Sequence, residues 1–133
     1  MTLPYPAVTP ENAFFWLSGK EDKLRFQRCT SCTTFIHPPK PRCPECLSEA
    51  IEIVDVSGRA TVSTYTVNYH EWHPDLPPPY VIAIVAIDEA PYVRLTTRLV
   101  NCEPGRIAFG MPVRVAFARQ GPVWLPLFEP ERA

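Results

Sequence analysis

The stretch Cys29-Thr-Ser-Cys-Thr-Thr-Phe-Ile-His-Pro-Pro-Lys-Pro-Arg-Cys-Pro-Glu-Cys46 decides the architecture of this chain. It holds two C-x-x-C pairs, Cys29/Cys32 and Cys43/Cys46, separated by ten residues. Each pair turns two thiolates to one side. Two such turns facing one another supply the four soft ligands that a tetrahedral Zn²⁺ requires. With four protein thiolates in the shell no position is left for water, so the expected ion is a single structural zinc. A pair of disulfides or a redox dithiol would demand an oxidising compartment or a thioredoxin-like βαβ context, and neither is visible. His37 lies inside the stretch, but four cysteines already fill the shell, so it reads as a loop residue.

The chain has 133 residues, enough for one compact domain or two small ones, and 46% hydrophobic content is enough for a core. Its net charge is −1 and its pI about 6.3, so it lacks the basic surplus on which extended nonspecific nucleic-acid binding rests. There is no charged n-region followed by an apolar h-region and no apolar run of membrane-spanning length. With a reduced thiolate site, this sets the expectation of a cytoplasmic protein that does not span a membrane. Seventeen prolines against five glycines favour rigid loops and strand ends over helices.

Three segments follow: an N-terminal helical segment over 1–23, a zinc ribbon over 24–50 and a barrel over 51–133. In the first, Thr9 caps a short helix, Pro10 suits its first position and Glu11 the positive end of its dipole. Ala13, Phe14, Trp16 and Leu17 give an apolar stripe, and Ser18-Gly19 ends it. Phe14, Phe15 and Trp16 cover more than one face, so they pack on the chain's own sheet or meet a partner. In the ribbon, Leu24, Phe26, Phe35 and Ile36 are expected around the knuckles, and His37-Pro38-Pro39 and Pro41 stiffen the connection.

Beyond Ile51 the pattern becomes that of strands. Ala60–Tyr69 is rich in β-branched and aromatic residues, Tyr80–Ile87 is apolar throughout, and Val93–Leu99 alternates. Val113–Ala118 alternates too, and Gly121-Pro122 turns into a last strand around Val123–Phe128. Pro104-Gly105 and Gly110 punctuate a connection with room for a short helical turn. Five short strands with short connections predict a mainly β protein whose sheet curls into a five-stranded OB-fold barrel. The run Val81–Ile87 is anomalous, because a strand of a small antiparallel barrel normally shows one face to water. Its outer face is therefore expected to be covered by the N-terminal helix or by another subunit.

These residues resemble the DUF35 family, proteins with a rubredoxin-like zinc ribbon followed by an acyl-CoA-associated OB-fold. The resemblance runs from Phe15-Trp16 and Leu24-Arg-Phe-Gln-Arg-Cys29 through Cys32, Pro38-Pro39 and Cys43-Pro-Glu-Cys46. It continues with Ser57-Gly58-Arg-Ala-Thr-Val62, Pro79-Tyr80-Val-Ile-Ala-Ile-Val85, Gly110-Met-Pro-Val113 and Leu125-Pro-Leu-Phe128. Thr33 departs from it, since glycine commonly follows the second cysteine. The resemblance implies a non-catalytic accessory subunit of a thiolase-superfamily acyl-CoA enzyme (thiolase, acyltransferase or retro-aldolase). Such a subunit docks on the catalytic chain in a hetero-oligomer, commonly two of each chain, and helps bind or gate the acyl-CoA.

The chain's own chemistry agrees with a supporting role. Thiolase-type catalysis needs a nucleophilic cysteine with histidine partners, yet only Cys102 lies outside the ribbon, and it reads as a small buried hydrophobe. His70 and His73 flank Glu71 in a long loop and read as exposed polar residues. The candidates for holding CoA phosphates are Lys23, Arg25, Arg28, Lys40 and Arg42. Tyr69, Trp72 and Tyr80, on or beside a proline-stiffened loop at the barrel mouth, are candidates for meeting the acyl-CoA or the partner. Two other classes compete. A zinc-ribbon/OB-fold nucleic-acid module is favoured only by analogy of fold, and Val81–Ile87 carries no basic residue for it. A self-sufficient small enzyme would have to work through Cys102 or His73, and no spacing favours that.

Overall fold

A computed structural model describes residues 4–131. The expected N-terminal helix is short. Helix α1 spans Ala13–Trp16 and is followed by a 3-10 turn over Ser18–Glu21. The N-cap of α1 is Asn12, without a side-chain cap bond, rather than the expected Thr9; Thr9 closes the turn ahead of the helix by a reciprocal exchange. The Thr9 N–H donates to Asn12 Oδ1 at 2.7 Å, and the Asn12 N–H reaches Thr9 Oγ1 at 3.4 Å. The exchange has the pattern of a capping box, with Asn in place of Glu. Ser18-Gly19 does not end the helical path as expected but carries it into the 3-10 turn, which stops at Asp22 in the left-handed region (φ 57°). Gly19 is required by close approach: a Cβ there would lie 2.4 Å from Trp124 Cβ and 2.6 Å from the Phe117 ring.

The ribbon is a three-stranded antiparallel sheet of order β2-β1-β3, formed by β1 (Leu24–Cys29), β2 (Phe35–Ile36) and β3 (Ile51–Val56). Strand β3 pairs with β1 along its whole length, from Leu24 opposite Val56 to Cys29 opposite Ile51. The ribbon's sheet therefore runs on past residue 50, and the first strand after Ile51 belongs to it rather than to the barrel. Leu24 and Phe26 do not pack around the knuckles. They point to the other side of β1 and join Phe15 in the main hydrophobic core, whereas Ile36 packs with Cys29, Cys43 and Ile51. One strand thus anchors both the metal end and the barrel, because alternate residues serve opposite faces.

The remaining strands close into a barrel of order β4-β5-β6-β8-β7: β4 (Arg59–Asn68), β5 (Tyr80–Ile87), β6 (Ala90–Leu99), β7 (Pro112–Gln120) and β8 (Val123–Pro130). A 3-10 turn over Pro104–Arg106 sits in the β6–β7 connection. Closure comes from β4 pairing β7 over Arg59–Thr61, and from a single parallel pair, Leu99 with Phe128. This is the topology of the OB-fold barrel. Gly58 (φ 83°) makes the entry to β4. Its carbonyl accepts the Val115 N–H at 2.8 Å, and a Cβ would strike Val115 Cγ1 at 2.7 Å. The core is filled by Val62, Ala83, Val85, Ile87, Val113 and Phe128, all at most 1% exposed.

The anomaly in β5 resolves on one side only. Val81, Ala83 and Val85 point into the barrel, but Ile82 and Ile84 face outward and are half-buried. Helix α1 and its 3-10 turn pack on β1, β7 and β8, so they do not cover this face.

Candidate functional site: the four-cysteine centre and the surfaces around it

The two C-x-x-C turns are built alike. In the first, Thr33 N–H donates to Cys29 O and Cys29 N–H to Thr34 O, both at 2.9 Å. In the second, Leu47 N–H donates to Cys43 O and Cys43 N–H to Ser48 O, again at 2.9 Å. The residue after the second cysteine takes a left-handed conformation in both, Thr33 at φ 62° and Leu47 at φ 63°. That conformation normally favours glycine, which explains why the resemblance expects glycine at position 33. β1 delivers Cys29 at its end, and the β2–β3 connection delivers Cys43 opposite it.

The four Sγ atoms lie within 4.8 Å of one another, with Cys29–Cys46 and Cys32–Cys43 both at 3.5 Å. Tetrahedral coordination with Zn–S bonds of about 2.3 Å requires sulfurs roughly 3.8 Å apart, so the set fits one zinc ion. Cys29 and Cys43 are buried, while Cys32 and Cys46 face solvent. Hydrogen bonds already favour thiolate. The Thr34 hydroxyl, 3.1 Å from Cys32 Sγ, and the Thr34 N–H pull the Cys32 thiol down to about 6. The Cys32 and Ser31 N–H groups lower Cys29. At Cys46 the Ser48 N–H also favours thiolate, but the crowding of Cys29, Cys32 and Cys43, with desolvation, outweighs it and pushes the thiol up to about 12. Four sulfurs this close cannot all ionise without a cation, and a divalent cation reverses that balance. Zn²⁺ held by these four residues supplies a cross-link between β1 and the β2–β3 connection, not an open coordination site.

The basic residues named from sequence are mostly neutralised. Arg25 donates to Asp55 at 2.7 Å and to Glu21 at 3.1 Å, Arg28 pairs with Glu52, and Arg42 meets Glu49 at 2.7 Å. Among the described residues, Lys23 and Lys40 form no ion pair and remain exposed. Cross-strand acids on β3 neutralise two of the three arginines, because Arg25 stands opposite Asp55 and Arg28 opposite Glu52, while Glu49, just before β3, meets Arg42. Tyr69 and Trp72 are 74% and 72% exposed, and Tyr80 is half-buried at the start of β5. The Trp72 indole N–H donates to Asn68 Oδ1 at 3.2 Å, and its ring stands edge-on to His70 at 4.3 Å. Of the aromatic triplet, Phe15 is buried, while Phe14 and Trp16 are half-buried against the core. Cys102 is partly buried, and desolvation raises its thiol above the ordinary range, which leaves it a poor nucleophile. His73 Nδ1 accepts the Asp75 N–H at 3.0 Å, a local turn contact.

Sequence reasoning missed a cleft of about 730 Å³ where β6 and β8 diverge beyond their single pair. Its walls include Trp16 from α1, His37 and Pro38 from the ribbon, and Leu125 and Leu127 from β8, with Arg94 at the rim. Thr97 Oγ1 ties the two strands there by donating to Pro126 O at 2.8 Å. The His37 ring lies 5.0 Å from Phe15 and 5.2 Å from Phe26. Burial among them depresses its pKa to about 4, so the ring is neutral at pH 7. The signal was present in the pattern Phe15-Trp16 and His37-Pro38-Pro39, but their meeting depends on how the ribbon folds back on the barrel.

Comparison with known proteins agrees with this geometry. Residues 16–52 match the family described as "ChsH2, rubredoxin-like zinc ribbon domain", and residues 53–118 match "ChsH2, C-terminal OB-fold domain". A "Probable enoyl-CoA hydratase alpha subunit" of Thermomonospora curvata is 40% identical over 128 residues, covering 96% of this chain but 40% of that protein. A "DUF35 domain-containing scaffold protein" of Methanocaldococcus jannaschii is 36% identical over 95 residues, covering 69% of this chain and 65% of the relative. The chain thus spans two fifths of the hydratase relative and about two thirds of the scaffold protein. The solved structure "Ltp2-ChsH2(DUF35) aldolase" superposes with a TM-score of 0.84 at 38% identity, over 95% of this chain and 98% of that one. With its four-thiolate ribbon, its closed OB barrel and these matches, the chain belongs to the DUF35 family.

Proposed function

We propose that this chain is a non-catalytic accessory subunit of a thiolase-like acyl-CoA enzyme, docking on a thiolase-fold catalytic chain and helping to bind or gate the acyl-CoA. The observation that carries the reading is the near-complete superposition on the DUF35 chain of a solved aldolase. The scaffold designation of a relative supports it. The site chemistry supports it from another direction. The metal shell is closed by four thiolates, and Cys102, the one cysteine outside it, has a raised pKa. The hydratase named for a relative belongs to a protein of which this chain spans 40%, so hydration chemistry is not carried over. Within the thiolase superfamily, the aldolase match favours a retro-aldol cleavage over thiolysis or acyl transfer.

The exposed Tyr69 and Trp72, with Tyr80, and the free cations Lys23 and Lys40 are the side chains proposed to meet the acyl-CoA or the partner. No helix among the described residues is long and apolar enough to cross a membrane, and a cytoplasmic location with reduced thiolates is part of the same proposal. Native mass spectrometry of the tagged chain recovered from its host tests it. A thiolase-fold protein at fixed stoichiometry is the expected result. Recovery of the chain alone, or with nucleic acid, would move the reading to an independent binding module.

A further inference from the structure

Strands β4, β5 and β6 form one wall of the barrel and contain no Asp or Glu. Their register places nine outward residues in three rows: Thr61–Ala86–Arg94, Thr64–Ile84–Thr96 and Thr66–Ile82–Arg98. The threonines are exposed, and Ile82 and Ile84 are half-buried. Among the described residues, the arginines at 25, 28, 42, 59, 106 and 114 each hold a carboxylate, and Arg119 lies over the Trp124 ring at 5.1 Å. Arg94 and Arg98 hold neither. Asp75 shares a depression with Arg98 but makes no ion pair with it. Arg98 is half-buried, and desolvation lowers its pKa without a carboxylate to offset it. In a chain of net charge −1, the wall that turns Ile82 and Ile84 outward also carries, on β6, two arginines that hold no carboxylate among the described residues.

We propose that this β4–β5–β6 face is the surface on which the catalytic subunit docks, and that the docking face of that subunit carries carboxylates placed to meet Arg94 and Arg98. The inference rests on the accessory-subunit reading above. Four residues along a strand put the two arginines roughly 13 Å apart. That span suits two separate carboxylates on a flat protein surface. Ile84, in the one row between them, and Ile82 beside Arg98 supply apolar contact that helps exclude water from such ion pairs. Single-stranded nucleic acid would need a run of aromatic rings for base stacking; the nine positions carry none, and Tyr80 and Tyr92 stand apart at the starts of β5 and β6.

The test uses the full chain and the purified thiolase-fold subunit recovered with it, titrated at low and high salt. Arg94→Gln/Arg98→Gln is expected to weaken association by roughly a hundredfold at low salt and to flatten its salt dependence. Arg94→Lys/Arg98→Lys should weaken it less than tenfold, and both variants should melt like the parent. Hydrogen-exchange protection in the complex should fall on 61–66, 82–86 and 94–98. A wild-type complex that the Gln pair leaves unchanged, or whose protection lies on the ribbon or on β7–β8, would overturn this inference while leaving the accessory reading intact. Absence of any wild-type complex would remove both. Salt-dependent binding of an oligonucleotide lost in the Gln pair, or self-association of the chain lost in it, would also overturn it by assigning the face to another occupant.

Discussion

Thr33 and Leu47 occupy equivalent places in the two metal turns. Both are left-handed, at φ 62° and 63°, and both donate their N–H at 2.9 Å to the carbonyl of the first cysteine of their pair. The equivalence makes the ribbon pseudo-symmetric about its metal and shows that the turn geometry, rather than glycine, is what the site requires. Leu47 is also 66% exposed, so its side chain gains little from burial in return for the backbone strain. Leu47→Gly is expected to stabilise the zinc-loaded protein by about 0.5–1 kcal/mol, the left-handed cost removed less the added freedom of the unfolded chain. Chemical denaturation of both proteins checks it, and a loss of stability would mean the Leu47 side chain makes a contact that outweighs the strain.

Removing a ligand should act in the opposite sense and far more strongly. Cys43 is fully buried and closes the shell with Cys29. Cys43→Ser is expected to lose stoichiometric zinc and to loosen the ribbon, because in such small modules metal binding supplies much of the folding free energy. Metal analysis with near-ultraviolet circular dichroism checks both consequences. Retention of one zinc per chain with unchanged melting would contradict the four-thiolate assignment.

Gly19 holds the 3-10 turn against β7 and β8. With Trp124 Cβ 2.4 Å from where a Cβ would stand, backbone or strand must move to admit even a methyl group. Gly19→Ala should cost about 2–3 kcal/mol, read as a lower denaturation midpoint without loss of zinc.

His37 supplies a pH dependence with a definite sign. Burial between Phe15 and Phe26 lowers its pKa from 6.5 to about 4. Above pH 6.5 the ring is neutral in both folded and unfolded chains, and stability does not depend on it. Between pH 6.5 and 4 the unfolded chain takes up a proton that the folded chain resists, so stability falls with acidification and levels off below 4. The full effect is at most about 3 kcal/mol. His37→Leu should flatten this part of the curve relative to the parent, and the difference between the two isolates it from acid release of zinc. Identical pH profiles would place His37 in contact with solvent.

What the sequence disclosed and what it withheld divide along physical lines. The metal set and the five barrel strands rest on local spacing and period, and Tyr80–Ile87 is a strand over the range read from its apolar run. That Ile51–Val56 pairs with β1 was not legible, because it has the same β-branched character whether it pairs with β1 or with the barrel. Nor could spacing reveal that Asp55 and Glu52 would cross to Arg25 and Arg28, since register between distant strands is a tertiary fact. Proximity in sequence suggests the knuckles for Leu24 and Phe26, whereas alternation along β1 sends them to the barrel core. Arg94 and Arg98 read from the sequence as the outward side of an alternating strand, but that they lack a carboxylate emerges only once the other ion pairs of the fold are in place.

The central claim is that this chain serves a thiolase-fold enzyme's acyl-CoA chemistry without performing it. Turnover of an acyl-CoA by the recovered catalytic subunit, measured with and without the zinc-loaded chain, tests it most directly. The account predicts no turnover by the chain alone, and activity of the catalytic subunit that rises with added chain and saturates at a fixed ratio. Full activity of the catalytic subunit in its absence, or turnover by the isolated chain, would contradict it.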